Sequence, residues 1–191
     1  MLTVSILFIR REIGSSPCFL ENDEGDHYLI LDQMECNLDW GRPQTINHFF
    51  QESSGEICVI NDFRIELRKE QLNRLVQPFL SNPMVDCTSL YGLKDIFSCL
   101  CVKREIFQKV GRVDVGYGLG IYDDVDWHHR LINNGSSIHY LEHELPSPLP
   151  PILSVPLQDL EKIIIQNREH YRRKWGQFPI ELEIDRNEVA T

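Results

Sequence analysis

Glycines followed by a cluster of carboxylates mark the part of the sequence best equipped for chemistry. Residues 116–131 read Gly-Tyr-Gly-Leu-Gly-Ile-Tyr-Asp-Asp-Val-Asp-Trp-His-His-Arg-Leu, so three alternating glycines lead into Asp123, Asp124 and Asp126. An ordinary solvated surface does not need so many glycines, and a core does not favour so many acids. The pattern indicates a mobile loop that delivers carboxylates to the mouth of a cleft, where carboxylates commonly transfer protons.

A second group of polar residues follows a buried strand. Residues 56–60, Glu-Ile-Cys-Val-Ile, form the near-continuous apolar run that is typical of a strand covered on both faces in a parallel sheet. Asn61 and Asp62 come directly after it. Because open α/β sheets bind ligands beyond the carboxyl ends of their strands, we expect ligand-binding groups here. The alternative is that Asp62 is a simple turn residue at the end of the strand.

The elements that must position these residues alternate between strands and helices, which predicts an α/β fold. Pro78 is expected to end the second helix or to tighten its last turn, and Gly111 is expected to end the third helix. Asp123 would open the fourth helix, whose dipole favours acids in its first turn. The sequence predicts strands at residues 3–9, 27–32, 56–60, 84–90, 96–102 and 137–141, and helices at residues 43–53, 68–77, 103–110, 123–133 and 156–175.

The length of 191 residues favours a single domain with its own core. We assign that domain to residues 1–176, with residues 1–36 as a short N-terminal part. Five prolines in residues 145–156 predict an extended linker, which leads into a final helix at residues 156–176. Residues 177–191 are read as an acidic tail.

Charge and cysteine content limit the partners and the compartment. The net charge of −10 argues against nucleic acid or an anionic membrane surface as the main partner, although a metal ion could still bridge acidic residues to a phosphate ligand. No run of residues is long and apolar enough to span a membrane, so the expectation is a cytoplasmic protein, with peripheral membrane attachment left open. Because several of the six cysteines lie in apolar runs, we expect buried free thiols rather than disulfides.

Several stretches, in their order along the chain, resemble glycosyltransferase family 2 of the GT-A type. The resemblance covers about residues 30–176 and lies mainly in the C-terminal two-thirds of that family's domain. The matching stretches are Asn37-Leu-Asp-Trp-Gly-Arg42 with Asn47, Glu56 to Asp62, Leu72 to Val76 with Asn82-Pro83, Val102 to Gly111 with Val113-Asp114, Tyr122-Asp-Asp-Val-Asp-Trp127 with Arg130-Leu131 and Gly135, and Lys174-Trp-Gly176.

The resemblance implies a GT-A-like (Rossmann-like) fold, a mixed, mostly parallel sheet flanked by helices, with a shortened N-terminal half. It also implies transfer of a sugar, with inversion, from a nucleotide-diphospho sugar to an acceptor hydroxyl. In this family's pattern Asp124 is the general base, and Asp62 holds Mn²⁺ or Mg²⁺, with His143 as a further ligand. The acceptor could be a glycan, a lipid-linked group or a protein.

The remaining site residues fall on two sides of the predicted cleft. Trp40 lies in a polar loop and is the better candidate for stacking on a sugar, whereas Trp127 is expected to pack in the core. Asp126 is expected to anchor its loop internally, and Asp123 to hold either the acceptor or the loop. The donor side comprises Asp32, Asn37, Trp40, Arg42, Asn61 and Asp62, and the acceptor or loop side comprises Gly118, Gly120, Asp123, Asp126 and Trp127.

Departures from the family pattern keep two other functions open. Ile60 occupies the position of the first acid of the metal motif, and the part before Asn37 is short. One alternative is therefore a non-catalytic sugar-binding or assembly module that has lost donor binding. The other is a metal-dependent hydrolase that uses Asp62, Asp124 and His128, although Asp124 and His128 are also spaced for an ordinary helix contact.

Overall fold

The computed structural model describes residues 1–10, 20–37, 41–62, 67–90, 96–141 and 157–179. Six strands in these ranges form one sheet: β1 (Leu2–Arg10), β2 (Tyr28–Asn37), β3 (Ile57–Asp62), β4 (Cys87–Leu90), β5 (Cys99–Lys103) and β6 (Ile138–Leu141). The α-helices of the same ranges are α1 (Arg42–Glu52), α2 (Lys69–Ser81), α3 (Arg104–Val110), α4 (Asp123–Asn133) and α5 (Leu157–Trp175).

The sheet is mixed and mostly parallel. Its strand order is β2-β1-β3-β5-β4-β6. Strand β1 pairs in parallel with both β2 and β3, β4 pairs in parallel with β6, and β5 runs antiparallel between β3 and β4. The prediction of an α/β fold with a mostly parallel sheet is confirmed.

Each face of the sheet carries its own apolar core, as the alternation of side chains along a strand requires. Cys58 and Ile60 face the core beneath α1, α3 and α4, whereas Ile57 and Val59 face the core beneath α2. By the same alternation Asp62 lies on the side of α1 and α4, and Asn61 lies on the opposite side.

The order of the strands places the end of β3 at a switch point. The chain adds β2 to one side of β1, and then returns through α1 to add β3 to the other side. Ile9 near the end of β1 faces Asp62 at the end of β3. Open α/β sheets form a crevice where the strand order reverses in this way, so Asp62 lies where a ligand is expected.

Several strand boundaries differ from the prediction because pairing with a neighbour sets the length of a strand, and β4 begins only at Cys87. Strand β2 does not end at Asp32 but continues to Asn37, since it pairs with β1 as far as Arg10. Strand β5 begins only at Cys99, because Ile96–Ser98 forms a short 3-10 helix ahead of it.

Of the two effects expected of Pro78, an end of the helix is not observed, because Pro78 lies within the last turn. Helix α2 continues through Pro78 to Ser81, and the backbone N–H of Asn82 donates to the carbonyl oxygen of Pro78. A proline in the last turn removes one intrahelical hydrogen bond, and burial of Phe79 against the sheet keeps that turn in place.

The described cysteines are free, as predicted. Burial raises the pKa of the Cys58 and Cys99 thiols to about 12, so both are unreactive at neutral pH. Among the residues that the structure describes, no helix combines the length and apolar character needed to cross a bilayer. The predicted linker at residues 145–156, Cys18 and the tail from residue 180 onwards lie outside the described residues.

Candidate functional site

Arg42 is the centre of a group of carboxylates. It is the first residue of α1, and its Nε donates to Oδ2 of Asp123 at 2.9 Å while its Nη2 donates to Oδ1 of the same carboxylate. Nη2 also lies 3.6 Å from Oδ1 of Asp124, and Nη1 lies 3.9 Å from Oδ2 of Asp62. The structure thus brings Asp62, Asp123 and Asp124 together around one guanidinium.

The four side chains of this group are buried, so the balance of their charges affects the stability of the fold. Arg42 is 6 % exposed, Asp62 2 %, Asp123 0 % and Asp124 5 %. Ionised side chains are buried at low cost only when opposite charges or hydrogen bonds compensate them. Three carboxylates and one guanidinium carry a formal charge of −2. We call these four residues the arginine–carboxylate cluster.

A sharp backbone turn delivers two of these acids. Gly120, Ile121 and Tyr122 have φ angles of 114°, 67° and 67°, so three successive residues lie in the left-handed region, two of them with bulky side chains. Such a conformation is strained for residues other than glycine and persists only where its surroundings enforce it. Helix α4 begins immediately afterwards, with Asp123 and Asp124 in its first turn.

Two glycines allow the backbone to approach Arg42 closely. A Cβ atom at Gly41, whose φ is 81°, would clash with the carbonyl oxygen of Gly118. A Cβ atom at Gly120 would crowd Nε of Arg42 and Oδ1 of Asp123. Of the two predicted loop glycines, Gly120 is required by this close packing, whereas Gly118 is favoured by its left-handed backbone, with a φ of 59°.

Asp126 points away from the cluster, towards α5. It is fully buried, and its carboxylate accepts hydrogen bonds from Nε1 of Trp175 at 2.8 Å, Nζ of Lys174 at 3.0 Å and Nε of Arg130 at 3.1 Å. Trp127 is also fully buried, and its Nε1 donates to the carbonyl oxygen of Gly111. Both side chains contact other elements of the protein rather than an open cleft.

The structure does not bring Asp32 to the cluster. Its exposed carboxylate accepts hydrogen bonds from the backbone N–H and the hydroxyl of Ser54. In the sheet Asp32 is aligned with Ser5, four residues before Ile9, which faces Asp62. At about 3.3 Å per residue it lies about 13 Å back along the strands from the end where Asp62 lies.

The other predicted donor-side residues are located as follows. Asn37 is the last residue of β2, at the carboxyl end of the sheet. Asn61 is buried and lies on the face opposite Asp62, with its Nδ2 3.4 Å from the backbone oxygen of Asp62. Trp40 and the predicted metal ligand His143 lie outside the described residues.

The residues present fit a metal that is shared with a substrate. The described part of the chain contains no group of three or more His, Cys, Asp or Glu side chains that could hold a metal ion alone. Mg²⁺ is commonly held by one or two carboxylates together with substrate phosphates and water. A buried carboxylate such as Asp62, at the carboxyl end of β3, is suited to that arrangement.

His128, the third residue of the hydrolase hypothesis, is half-buried on α4. Burial lowers its pKa, and the neighbouring His129 lowers it further, which favours the neutral imidazole. A neutral imidazole is the form that binds metals.

Sequence reasoning missed Asn167 of α5, which contacts the glycine loop. Asn167 is 6 % exposed, and its Nδ2 donates to the backbone carbonyl oxygens of Tyr117 at 2.9 Å, Gly120 at 2.5 Å and Ile121 at 3.2 Å. A signal for it was available. Asn167 lies four residues before Tyr171 and four after Ile163, so a polar side chain interrupts the apolar stripe of a helix.

Solved structures with the same architecture are glycosyltransferases. Glucosyl-3-phosphoglycerate synthase from Mycobacterium tuberculosis, in complex with Mn²⁺, UDP and glucosyl-3-phosphoglycerate, has a TM-score of 0.60 at 15% identity, covering 92% of this chain and 80% of that one. The same enzyme with Mg²⁺ and UDP has a TM-score of 0.59 at 14% identity, with the same coverage. With Mn²⁺ and UDP-glucose it has a TM-score of 0.57 at 14% identity, covering 92% of this chain and 79% of that one.

The chain has the GT-A fold. This confirms the fold that the sequence motifs predicted. No protein-family model matches the chain, and no curated protein matches it significantly. The similarity to the solved structures therefore establishes the fold alone, and membership of family 2 stays a prediction.

Proposed function

We propose that this protein is a glycosyltransferase that moves a sugar from a nucleotide-diphospho sugar to an acceptor hydroxyl, with the arginine–carboxylate cluster as its catalytic centre. The observation that carries the proposal is the position of this buried cluster, at the switch point of a GT-A sheet. Because the solved structures include complexes with UDP-glucose and Mn²⁺, UDP-glucose is the first donor to test.

Asp124 is the best candidate for the general base. Both carboxylate oxygens of Asp123 bind Arg42, and Asp123 is fully buried, whereas Asp124 is the most exposed of the three acids. A carboxylate at the edge of a cleft can accept the proton of an acceptor hydroxyl as that oxygen attacks the sugar carbon. Of the two roles predicted for Asp123, holding the loop fits its contacts better than holding the acceptor.

Asp62 would hold Mn²⁺ or Mg²⁺, which when bound supplies positive charge to stabilise the departing diphosphate. Arg42 holds the three carboxylates together by offsetting their mutual repulsion. Its hydrogen bonds with Asp123 fix the start of α1 against the start of α4, so the position of Asp124 relative to Asp62 depends on this pair. Inversion at the sugar carbon follows if Asp124 activates the acceptor directly.

Donor binding can be tested by thermal unfolding in the presence of nucleoside diphosphates, with and without Mn²⁺. We expect UDP with Mn²⁺ at about 100 times its dissociation constant to add about 2.7 kcal/mol, which raises Tm by roughly 5–10 °C for a chain of this size. Asp62→Asn should lose the part of the shift that depends on Mn²⁺. Asp159→Asn, an exposed change on α5, should keep it.

The same experiment separates the proposed function from its alternatives. If no nucleotide changes Tm with or without metal, the donor-binding proposal is contradicted and the non-catalytic module is favoured. Mn²⁺-dependent cleavage of simple phosphoesters in the absence of any sugar nucleotide would favour the hydrolase.

A further inference from the structure

Helix α5 binds both ends of the chain segment that carries the candidate catalytic acids. We call residues 114–126 the glycine–aspartate segment. Nζ of Lys174 donates to Oδ2 of Asp114 at 2.9 Å and to Oδ2 of Asp126 at 3.0 Å. One lysine therefore bridges the first and last residues of the segment. His170 adds a contact to Asp114 at 3.1 Å, and Trp175 adds one to Asp126.

Asn167 binds the middle of the same segment. Its single amide group lies within hydrogen-bond distance of three carbonyl oxygens, those of Tyr117, Gly120 and Ile121. An NH₂ group has two hydrogens, so it must share them among these acceptors. Because Asn167 is buried, water does not readily replace these bonds if the amide is lost.

Two of these carbonyl groups belong to the turn that precedes the candidate catalytic acids. Gly120 and Ile121 are the first two residues of the left-handed turn, and Asp123 and Asp124 follow it. A turn with two strained non-glycine residues needs outside contacts to persist. Asn167 supplies such contacts from a different element, 44 residues further along the chain than Asp123.

We propose that Asn167 is a positioning residue: its amide holds the left-handed turn in the shape that presents Asp123 to Arg42 and places Asp124 beside Asp62. The inference rests on the proposed glycosyl transfer, since it concerns the same acids. The side chain of Asn167 is a neutral amide that contacts backbone carbonyls of the segment. It acts on the reaction through the backbone of the glycine–aspartate segment.

Asn167→Asp tests this directly, because it keeps the size of the side chain while replacing the donor amide by a carboxylate that repels carbonyl oxygens. We expect kcat for sugar transfer to fall about 10- to 100-fold, with KM for the donor changed less than about twofold, since misplacing a catalytic group mainly affects the chemical step. Gln166→Glu is the matched control: it adds the same charge at the exposed neighbouring position and should leave both constants unchanged.

Hydrogen exchange provides a readout that does not need activity. The N–H groups of Gly118, Gly120 and Asp126 bond within the segment, to Val115, Tyr117 and Tyr122 respectively. In Asn167→Asp we expect these amides to exchange at least about tenfold faster, while amides of β3 and β5 keep their protection. If that variant does not fold, Asn167→Ser, which retains one donor, should show the same pattern with smaller changes.

The outcomes separate this inference from the proposed function. A wild-type protein that turns over no donor contradicts the proposed function, whatever the exchange data show. An active wild type, with Asn167→Asp equal to Gln166→Glu in kcat and in segment exchange, overturns the role of Asn167. A raised KM with unchanged kcat would also overturn it, because it would indicate a contribution to substrate binding instead.

Discussion

Two groups of aspartates lie at opposite sides of the glycine–aspartate segment, and their partners differ. In the arginine–carboxylate cluster three carboxylates surround one guanidinium. On the α5 side Asp114 and Asp126 each accept several bonds. Their donors are Lys174, Arg130, Trp175, His170 and the backbone N–H of Gly116.

We interpret this difference as one between the proposed catalytic site and a structural contact. The α5 side supplies many donors to each carboxylate, so these groups are used in holding α5 to the segment. In the arginine–carboxylate cluster one guanidinium lies among three carboxylates, which are the groups that would hold a metal ion or accept a proton in the proposed reaction. Asp123 and Asp126 lie three residues apart on one helix, yet they belong to different groups.

The largest effect on stability should come from removing the guanidinium. Arg42→Met leaves three buried carboxylates without it, and we expect the free energy of unfolding to fall by about 3–5 kcal/mol. Urea unfolding followed by tryptophan fluorescence measures this. Arg112→Met, at an exposed position, should change it by less than about 0.5 kcal/mol. A stable Arg42→Met protein would show that the cluster does not depend on its arginine.

A smaller decrease in the free energy of unfolding should follow from Lys174→Met on the α5 side. The lysine side chain is 31% exposed, so solvent screens its two ion pairs, and we expect a loss of about 1–2 kcal/mol in the same assay. Lys162→Met is the control, since it removes an exposed pair from the same helix and should have almost no effect. Equal stability of the two variants would mean that Lys174 does not hold the segment.

The smallest expected effect on stability is the pH-dependent contribution of Asp114, on the α5 side. Burial raises the pKa of Asp114, but hydrogen bonds from Lys174, the Gly116 N–H and His170 outweigh it and leave that pKa below its ordinary value. A lowered pKa in the folded state contributes stability above the unfolded value of about 3.9, and this contribution is lost as the pH falls below it.

Asp114→Asn should therefore be less stable than the wild type at pH 6, and the difference should shrink as the pH falls from about 4 towards 2. Unfolding curves at several pH values test this. A difference that stays constant across this range would show that the charge of Asp114 is not what binds α5 to the segment.

Much of the fold could be predicted because its helices have local stop signals. Gly111 follows α3, Asn134 and Gly135 follow α4, and Gly176 follows α5, so those boundaries matched. The ends of β2 and β5 could not be predicted in the same way, since they depend on pairing with strands elsewhere in the chain.

In the candidate site, too, local features could be predicted from the sequence and long-range contacts could not. The positions of Asp62, Asp123 and Asp124 at the ends of elements could be predicted from local patterns. The contact of Arg42 with Asp123 joins residues 81 positions apart and results from packing. The sequence could single out Asn167 as a polar residue in an apolar helix stripe, but it could not reveal that the partners of Asn167 are backbone carbonyls. The close approach and the left-handed backbone that the loop glycines allow are likewise seen only in the structure.

Turnover of a nucleotide-diphospho sugar by Asp124→Asn shows whether Asp124 is the base of a sugar transfer. Release of the nucleoside diphosphate should be measured with Mn²⁺ for the wild type, for Asp124→Asn and for Asp159→Asn. We expect Asp124→Asn to bind the nucleotide and to unfold like the wild type but to lose about 100-fold or more of kcat, while Asp159→Asn stays active. Wild-type turnover by Asp124→Asn would contradict the assignment.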